Sequence, residues 1–221
     1  MPRARLSIDP NDLFAEPEGP ATIVIAPEVV LLRQFVATEP LLALIGRVAE
    51  SAPFRRLHTP GGGQMSVAMT NCGAVGWHAD ASGYRYVDRD PKSGQPWPAM
   101  PDEFAALATA ATTTAGFGDF APDCCLVNRY AVGTQMGTHR DFDELDLRQP
   151  IVSVSLGLPA VFVWRGTTRN GPPLAVRVVD GDVIVWGGQA RVGYHGVRRL
   201  PAPVDGTTVQ FRYNLTFRRA R

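Results

Sequence analysis

The chain has few lysines, histidines and cysteines for its length. Among 221 residues there are one lysine (Lys92), four histidines and three cysteines, and the formal net charge is +1. A charge this close to zero argues against a protein that coats nucleic acid through bulk electrostatics. Three cysteines without regular spacing exclude the disulfide framework of small secreted domains, so we expect buried thiols and a reducing, cytoplasmic location.

The sequence also lacks a long hydrophobic run. The longest apolar stretch, residues 151–164, is too short to cross a bilayer and is interrupted by serine, glycine and proline. The N-terminus has no signal-peptide core, and we expect no membrane association. With 45% hydrophobic residues the chain can bury a sizeable core. Its length predicts a single domain over residues 1–221 that begins with an acidic N-terminal extension at 1–22.

Patterns along the chain predict helices first and strands later. After a short strand, TIVIA, apolar residues at helical spacing predict one helix that Thr38 caps and a second between Pro101 and Gly116. From about residue 120 onward, β-type runs separated by glycine and proline follow one another without helices. This order predicts a mainly β fold, an antiparallel double sheet or barrel supported by the two helices, with a hairpin turn at 179–182.

The segment between the predicted helices is unusually long and rich in aromatic and turn residues. It contains one predicted strand, MSVAMTN, followed by a stretch without clear periodicity. Loops of this length in a compact domain are usually functional or disordered, and the aromatic side chains argue against disorder. We therefore interpret residues 59–100 as a flap that faces a substrate.

The segment GTHRDFDE places a histidine and several acids just ahead of an apolar run. In an extended strand the side chains of His139 and Asp141 point to the same side, about 6.6 Å apart, so both can reach one metal ion. His195 lies between glycines late in the β region, whereas His58 and His78 have the polar surroundings of surface residues. Two imidazoles and one carboxylate are the ligand set of non-haem Fe(II) sites. A solvated strand edge and a structural histidine are the competing interpretations.

The last predicted strand, RYNLTFR, alternates polar and apolar side chains. On pattern alone this alternation is typical of a strand with one solvent-exposed face. An earlier strand, LVNRY, also carries polar side chains on one face. Beside a candidate iron site, two such faces form a cage for a small dicarboxylate. The residues concerned are Arg212, Asn214, Thr216 and Arg218 in the last strand, and Asn128 and Tyr130 in the earlier one.

Several motifs occur in a fixed order along the chain. They are TPGG, MSVAMTNCG, GYRY, PWPAMP, NRY, HRD, PIVSVSLGLPAVF, GDVIVWGG, YHG and RYNLTFR. Over residues 54–218 this order resembles the bacterial members of the AlkB family, Fe(II)- and 2-oxoglutarate-dependent dioxygenases that repair alkylated bases of nucleic acids. The resemblance implies a double-stranded β-helix, or jelly roll, with supporting helices on one face and residues 120–221 as its catalytic core.

The resemblance also implies the cofactors Fe(II), 2-oxoglutarate and O2. A desolvated dianion such as 2-oxoglutarate needs charge-assisted partners. The family pattern assigns iron to His139, Asp141 and His195. It assigns the distal carboxylate of 2-oxoglutarate to Arg212, Asn214 and Tyr130, and the region of the keto-acid end to Asn128 and Arg218.

For the substrate, the resemblance implies that the 59–100 flap recognises nucleotides. The implied substrates are 1-methyladenine and 3-methylcytosine in DNA, preferably single-stranded, or in RNA, because a base must leave the duplex to be modified. The implied products are the repaired base, formaldehyde, succinate and CO2, and no obligate protein partner is implied. These methylated bases are cationic, so an aromatic wall and a carboxylate would favour them by about 1 to 3 kcal/mol. The assigned contact residues are Trp77, Tyr84, Arg85, Tyr86, Asp143 and Arg169.

Three other functions are compatible with the same residues. A 2-oxoglutarate oxygenase that acts on a protein or a small molecule would keep the iron cage without needing the aromatic flap. A non-catalytic jelly-roll binding module would use the histidines structurally. A zinc hydrolase would leave the arginine cage without a purpose.

Overall fold

The computed structural model describes residues 19–203 and 208–221, so positions 1–18 of the predicted N-terminal extension lie outside the described residues. The described residues form thirteen strands, two α-helices and a short 3-10 helix (Gly188–Val192). In chain order they are β1 (Ala21–Ala26), β2 (Val29–Arg33), α1 (Glu39–Ser51), β3 (Ala68–Gly73), β4 (Gly76–Asp80), β5 (Gly83–Val87), α2 (Asp102–Ala115), β6 (Cys124–Ala131), β7 (Met136–His139), β8 (Ile151–Gly157), β9 (Ala160–Gly166), β10 (Leu174–Val178), β11 (Val183–Trp186), β12 (Tyr194–Val197) and β13 (Phe211–Arg218).

Two antiparallel sheets form the body of the fold. The larger sheet has the strand order β1-β2-β11-β8-β13-β6-β3, and the smaller has the order β10-β9-β12-β7. Apolar side chains from both sheets share one core, with Leu31 and Ile184 from the larger sheet and Phe162 and Trp164 from the smaller. The two sheets therefore face each other, which confirms the predicted mainly β, double-sheet fold.

Strand β13 shows how the larger sheet separates polar from apolar side chains. It lies between β6 and β8. Leu215 and Phe217 point into the core beneath the helices, whereas Arg212, Asn214 and Arg218 are almost completely buried on the other face. The predicted alternation is confirmed. The interpretation of the polar face as solvent-exposed is wrong, because the smaller sheet covers that face and encloses a cavity.

Both helices pack on the outer face of the larger sheet. α2 begins after Pro101 and ends at Gly116, whose φ of +85° is the left-handed geometry that glycine adopts readily. Thr38 occupies the predicted N-cap position of α1, but its hydroxyl donates to Asp180 at 2.6 Å and does not cap the helix. The helices bury the predicted apolar residues Leu41, Leu44, Ile45, Val48, Phe104, Leu107, Ala108 and Ala111.

Two connections differ from the predicted pattern. Residues 179–182 form a turn in which the Asp182 N–H donates to the Val179 carbonyl at 3.2 Å. However, β10 pairs with β9 while β11 pairs with β2 and β8, so the turn joins the two sheets and the predicted hairpin is wrong. Strand β2 is not predicted, because its buried run VVLL has no alternation to mark it as a strand.

The 59–100 flap contains an antiparallel strand pair that its sequence does not predict. β4 and β5 pair from Gly76 opposite Val87 to Asp80 opposite Gly83. The strand predicted at MSVAMTN is present as β3, shifted towards its C-terminal end. His58 is exposed, as expected. His78 is only 13% exposed and its Nε2 lies 3.3 Å from Asp80, so its interpretation as a surface residue is wrong.

The three cysteines are free and buried, as predicted. Cys72 lies directly opposite Cys125 on the neighbouring strands β3 and β6, and the adjacent Cys124 is equally inaccessible. Within the described part of the chain, no helix is both long and apolar enough to cross a bilayer.

Candidate active site

Strand register brings the three predicted metal ligands together. β7 and β12 are antiparallel neighbours, and His139 lies directly opposite His195, with ring centroids 4.4 Å apart. β7 ends at His139, and the loop that follows places one carboxylate oxygen of Asp141 3.8 Å from Nε2 of His139 and the other 3.8 Å from Nε2 of His195. The donor atoms of the three residues all lie within 4.8 Å of one another, so they can share one metal ion.

Local hydrogen bonds orient both imidazoles. Nδ1 of His139 lies 2.9 Å from the Gly137 carbonyl, and Nδ1 of His195 lies 3.0 Å from the Gly193 carbonyl. When Nδ1 donates to the carbonyl, the lone pair of each Nε2 is free for a metal. Burial, reinforced by repulsion from His139, lowers the pKa of His195 to about 4, so at neutral pH its imidazole has the uncharged form that binds metals.

Asp141 is held in its ionised form chiefly by the buried guanidinium of Arg218. Burial alone would raise the pKa of its carboxyl group, but the attraction of Arg218, His195 and His139 outweighs burial and holds that pKa well below its usual range. Nη2 of Arg218 donates to the carboxylate at 2.9 Å, and Nη1 of Arg191 donates to the backbone carbonyl of Asp141 at 3.0 Å. A deprotonated carboxylate is the form that coordinates a metal.

A cavity of about 850 Å³ opens beside the triad. Arg212 is 2% exposed within its wall and places its guanidinium 4.8 Å from the Tyr130 ring centroid. Its Nη2 donates to Ser155 at 3.1 Å, while its Nε and Nη1 have no hydrogen-bond partner among the described residues. The five residues predicted to bind 2-oxoglutarate, Asn128, Tyr130, Arg212, Asn214 and Arg218, all line this cavity.

Asn214 and Asn128 differ in how many of their polar atoms are left for a ligand. The Asn214 side-chain amide donates to Ser153 at 2.8 Å and to the Val154 carbonyl at 3.0 Å, so the protein already uses both of its N–H groups. Its carbonyl oxygen accepts a hydrogen bond from the side-chain amide of Asn128 at 3.4 Å. The buried carbonyl oxygen of Asn128 has no hydrogen-bond partner in the described structure. Asn214 therefore orients Asn128 within the wall.

Aromatic side chains of the flap lie on the same cavity. The rings of Trp77 and Tyr84 stack with centroids 5.6 Å apart and an interplanar angle of 13°. Nε1 of Trp77 donates to the Asp143 carboxylate at 2.9 Å, which fixes the indole relative to the loop that carries Asp141. Arg169 also lines the cavity.

Arg85 and Tyr86 do not belong to the cavity wall. Arg85 points to the other face of β5, where its guanidinium donates twice to the Asp80 carboxylate at 2.8 and 2.6 Å. The Tyr86 hydroxyl donates to Glu144 at 2.6 Å in the interior. In this structure the polar groups of both residues are therefore directed to partners within the protein and not into the cavity, and a substrate contact by either residue stays a prediction.

Comparison with known proteins identifies this type of site. Residues 28–218 match the model of the 2OG-Fe(II) oxygenase superfamily. The chain is 52% identical to the alpha-ketoglutarate-dependent dioxygenase AlkB of Salmonella typhimurium over 211 residues, which cover 95% of this chain and 97% of that protein. The chain belongs to the AlkB family of 2OG-Fe(II) oxygenases. It is therefore an iron- and 2-oxoglutarate-dependent dioxygenase that consumes O2.

Two further AlkB relatives extend the comparison. The DNA N(6)-methyladenine demethylase ALKBH1A of Arabidopsis thaliana is 37% identical over 103 residues, which cover 46% of this chain and 30% of that protein. The solved structure of OsALKBH1 superposes with a TM-score of 0.77 at 26% identity and covers 90% of this chain and 100% of that chain. The fold described above is thus shared over almost the entire length.

The residues of this AlkB-family site fit both cofactors. Two imidazole nitrogens and one carboxylate suit Fe(II) and leave coordination positions for further ligands. Arg212 and Arg218 each keep at least one buried N–H without a hydrogen-bond partner in the described structure. Unpaired buried donors are costly, and a bound carboxylate would satisfy them.

Three residues that support this AlkB-family site are not predictable from the sequence. Glu144 pairs with Arg191 at 2.9 Å, and both side chains are 1% exposed. Trp186 lies against the triad, with its ring 4.9 Å from that of His195. Two sequence features include the first two of these residues: the acidic run DFDE contains Glu144, and the arginine-rich region after residue 190 contains Arg191. Neither signal distinguishes a buried charge from a solvated one.

Proposed function

We propose that this enzyme oxidatively removes methyl groups from ring nitrogens of nucleobases, with 1-methyladenine and 3-methylcytosine in DNA or RNA as its substrates. The observation that carries this proposal is the stacked pair of Trp77 and Tyr84, held by Asp143 on the cavity that also contains the iron triad. An aromatic surface of this kind binds a planar base. The relative named as a DNA demethylase supports the choice of substrate class.

The proposal assigns each cofactor to side chains that line the cavity. Iron would be held by His139, Asp141 and His195. The distal carboxylate of 2-oxoglutarate would accept hydrogen bonds from Arg212, whose Nε and Nη1 lack other partners among the described residues. The remaining cavity residues would act around the same ligand, with Tyr130 beside Arg212, Asn214 orienting Asn128, and Arg218 near the keto-acid end.

The reaction replaces an N–CH3 group by N–H. When bound, iron, 2-oxoglutarate and O2 would supply the oxidation: one oxygen atom would go to the methyl carbon, and the other to 2-oxoglutarate, which would lose CO2 and become succinate. The resulting N–CH2OH group releases formaldehyde and returns the unmodified base. The protein would place the methyl group next to the triad, with the flap aromatics on the cavity wall holding the base in position.

Base selection would use charge as well as shape. 1-methyladenine and 3-methylcytosine are cations, and Asp143 supplies a carboxylate beside the aromatic pair. Cation–π attraction and Coulomb energy together would contribute about 1 to 3 kcal/mol to discrimination against neutral bases. A base inside a duplex must flip out to reach the cavity, so we propose a preference for single strands.

The same proposal assigns a role to each of the two main segments of the chain. Within the single domain, residues 59–100 would act as the nucleotide-recognition flap and residues 120–221 as the catalytic core. The buried free thiols are typical of a reducing compartment, which supports a cytoplasmic location.

The decisive experiment measures both products from a defined substrate. An oligonucleotide with one 1-methyladenine, incubated with Fe(II), 2-oxoglutarate and O2, should yield succinate and formaldehyde in a 1:1 ratio. Trp77→Ala should raise KM for the oligonucleotide without changing the KM for 2-oxoglutarate. Succinate formation that is unaffected by any methylated DNA or RNA would instead indicate an oxygenase for a protein or a small molecule.

A further inference from the structure

A second aromatic surface lies on the rim of the cavity. The guanidinium carbon of Arg140 lies 4.5 Å from the ring centroid of Phe142 and 5.5 Å from that of Tyr194. Phe142 is 51% exposed, and Arg140 is exposed as well. We call Arg140, Phe142 and Tyr194 the rim platform.

The rim platform is continuous with the substrate cavity. Arg140 and Tyr194 are themselves part of the cavity lining. Phe142 lies between Asp141, which belongs to the iron triad, and Asp143, which holds Trp77. The platform therefore lies where a nucleotide next to a base in the cavity can reach it.

The charge of Arg140 is available to a ligand. Its guanidinium forms no ion pair with any carboxylate in the described part of the chain. Contact with the two rings does not use the N–H groups of the guanidinium as hydrogen-bond donors to carboxylates, so they are available to a ligand. An arginine edge suits a phosphate, because it can donate two parallel hydrogen bonds to the phosphate oxygens.

The exposed ring of Phe142 supplies the complementary half of the site. A large aromatic side chain that is half exposed beside a cavity is a candidate contact surface, since its burial by a ligand is favourable. The flap aromatics lie where the target base would bind, whereas Phe142 lies on the rim in contact with the Arg140 guanidinium. An exposed ring next to a free guanidinium matches the alternating base and phosphate of a single strand.

We propose that the rim platform binds the nucleotide adjacent to the target base, with that nucleotide's base stacked on Phe142 and its phosphate bound by Arg140. This inference rests on the proposed function, because it places a neighbour of the base that enters the cavity. It makes Phe142 and Arg140 determinants of strand binding, separate from the residues that recognise the damaged base.

A binding experiment with an altered neighbour tests the platform directly. The probes are fluorescein-labelled single-stranded pentanucleotides with a central 1-methyladenine, in which the base on the 5′ or the 3′ side is either present or replaced by an abasic site. Removal of one of these bases should weaken binding to the wild-type enzyme about fivefold or more, as expected for the loss of one stacked base. In Phe142→Ala the same removal should change the Kd less than twofold.

Two further variants complete the experiment. Leu145→Ala is the matched control, since Leu145 is an 82% exposed apolar residue on the same loop, and it should behave like the wild type. Arg140→Gln should weaken binding of the intact pentanucleotide and reduce the dependence of its Kd on salt, because one phosphate contact is lost. If abasic substitution costs the wild type and Phe142→Ala equally, the platform does not bind the neighbouring base.

The outcome is distinct from that of the demethylation assay. If the pentanucleotide binds with the predicted pattern but yields no formaldehyde, the proposed reaction is wrong and the platform stands. If formaldehyde forms and Phe142→Ala keeps the wild-type response to both abasic probes, the reaction stands and the platform is wrong.

Discussion

The hydroxyl of Tyr86 donates a 2.6 Å hydrogen bond to Glu144 and so joins the flap to the segment that carries a metal ligand. Glu144 also pairs with Arg191 at 2.9 Å and lies 3.4 Å from Nε of Arg218. Arg218 in turn donates to Asp141. The β4–β5 hairpin of the flap and the triad of His139, Asp141 and His195 are therefore linked through one buried polar framework.

Loss of the Tyr86 hydroxyl should weaken this framework. Burial raises the pKa of Tyr86 well above its usual value, so the phenol remains a donor throughout the neutral pH range. Tyr86→Phe leaves the Glu144 carboxylate with one donor fewer in the interior. The free energy of unfolding, measured by urea denaturation, should fall by about 1 to 3 kcal/mol. The KM for a methylated oligonucleotide should rise as the flap loosens.

Tyr84→Phe is the matched control for that prediction. Tyr84 lies on the same strand, but its side chain is 46% exposed and its hydroxyl forms no hydrogen bond within the described residues. Its loss should change the free energy of unfolding by less than about 0.5 kcal/mol. Equal stability of the two variants would show that the bond between Tyr86 and Glu144 does not tie the flap to the loop.

Metal binding should stabilise the folded protein with one ion per chain. Mn(II) is a redox-stable substitute for Fe(II), and calorimetric titration should give 1:1 stoichiometry. The Tm should rise with the Mn(II) concentration, because the ion binds the folded state preferentially. His139→Ala and Asp141→Ala should abolish the rise, since each removes one of three ligands.

The control for metal binding is His58→Ala, which alters an exposed histidine outside the triad. It should retain the stoichiometry and the Tm increase of the wild type. If His58→Ala loses the ion while His139→Ala keeps it, the assignment of the metal site is incorrect.

The buried thiols should resist alkylation in the folded protein. Burial raises the pKa of Cys124 to about 12, so at pH 8 the group is a neutral thiol rather than the reactive thiolate. Iodoacetamide at pH 8 should modify Cys124 only after urea is added, as located by mass spectrometry. Because the pKa is raised in the folded state, the contribution of the neutral Cys124 thiol to the free energy of unfolding is fully present below about pH 9. This contribution is lost as the pH rises towards about 12. Rapid modification of the native protein would contradict this burial.

Two properties of the sequence explain which features are predictable: the period of its apolar residues and the small number of its histidines. The polar face of β13 follows from strict alternation, and the helices follow from apolar spacing that the structure confirms. The candidate triad is predictable because a chain with four histidines offers few combinations of possible metal ligands. Whether the face of Arg212 met solvent or a cavity was not accessible, because that depends on a second sheet formed by distant residues.

The features that escaped prediction depend on tertiary contacts. The hairpin of β4 and β5 has short strands with mixed side chains, so no period stands out. The turn at 179–182 has hairpin chemistry, yet its flanking strands find better partners in different sheets. Glu144 and Arg85 carry charges whose partners, Arg191 and Asp80, are known only once the chain is folded.

Arg212 should lower the stability of the protein in exchange for binding 2-oxoglutarate. It is buried without a carboxylate partner among the described residues, and burial lowers its pKa, which reflects the cost of keeping the cation there. Arg212→Met should therefore raise the Tm measured without 2-oxoglutarate, while it weakens 2-oxoglutarate binding by about 10- to 100-fold, as expected for lost hydrogen bonds to a charged group. Arg212→Lys keeps the charge and should restore part of the affinity without the gain in Tm. A lower Tm for Arg212→Met, measured by calorimetry in the absence of ligand, would mean that the guanidinium stabilises the fold and is not reserved for a carboxylate.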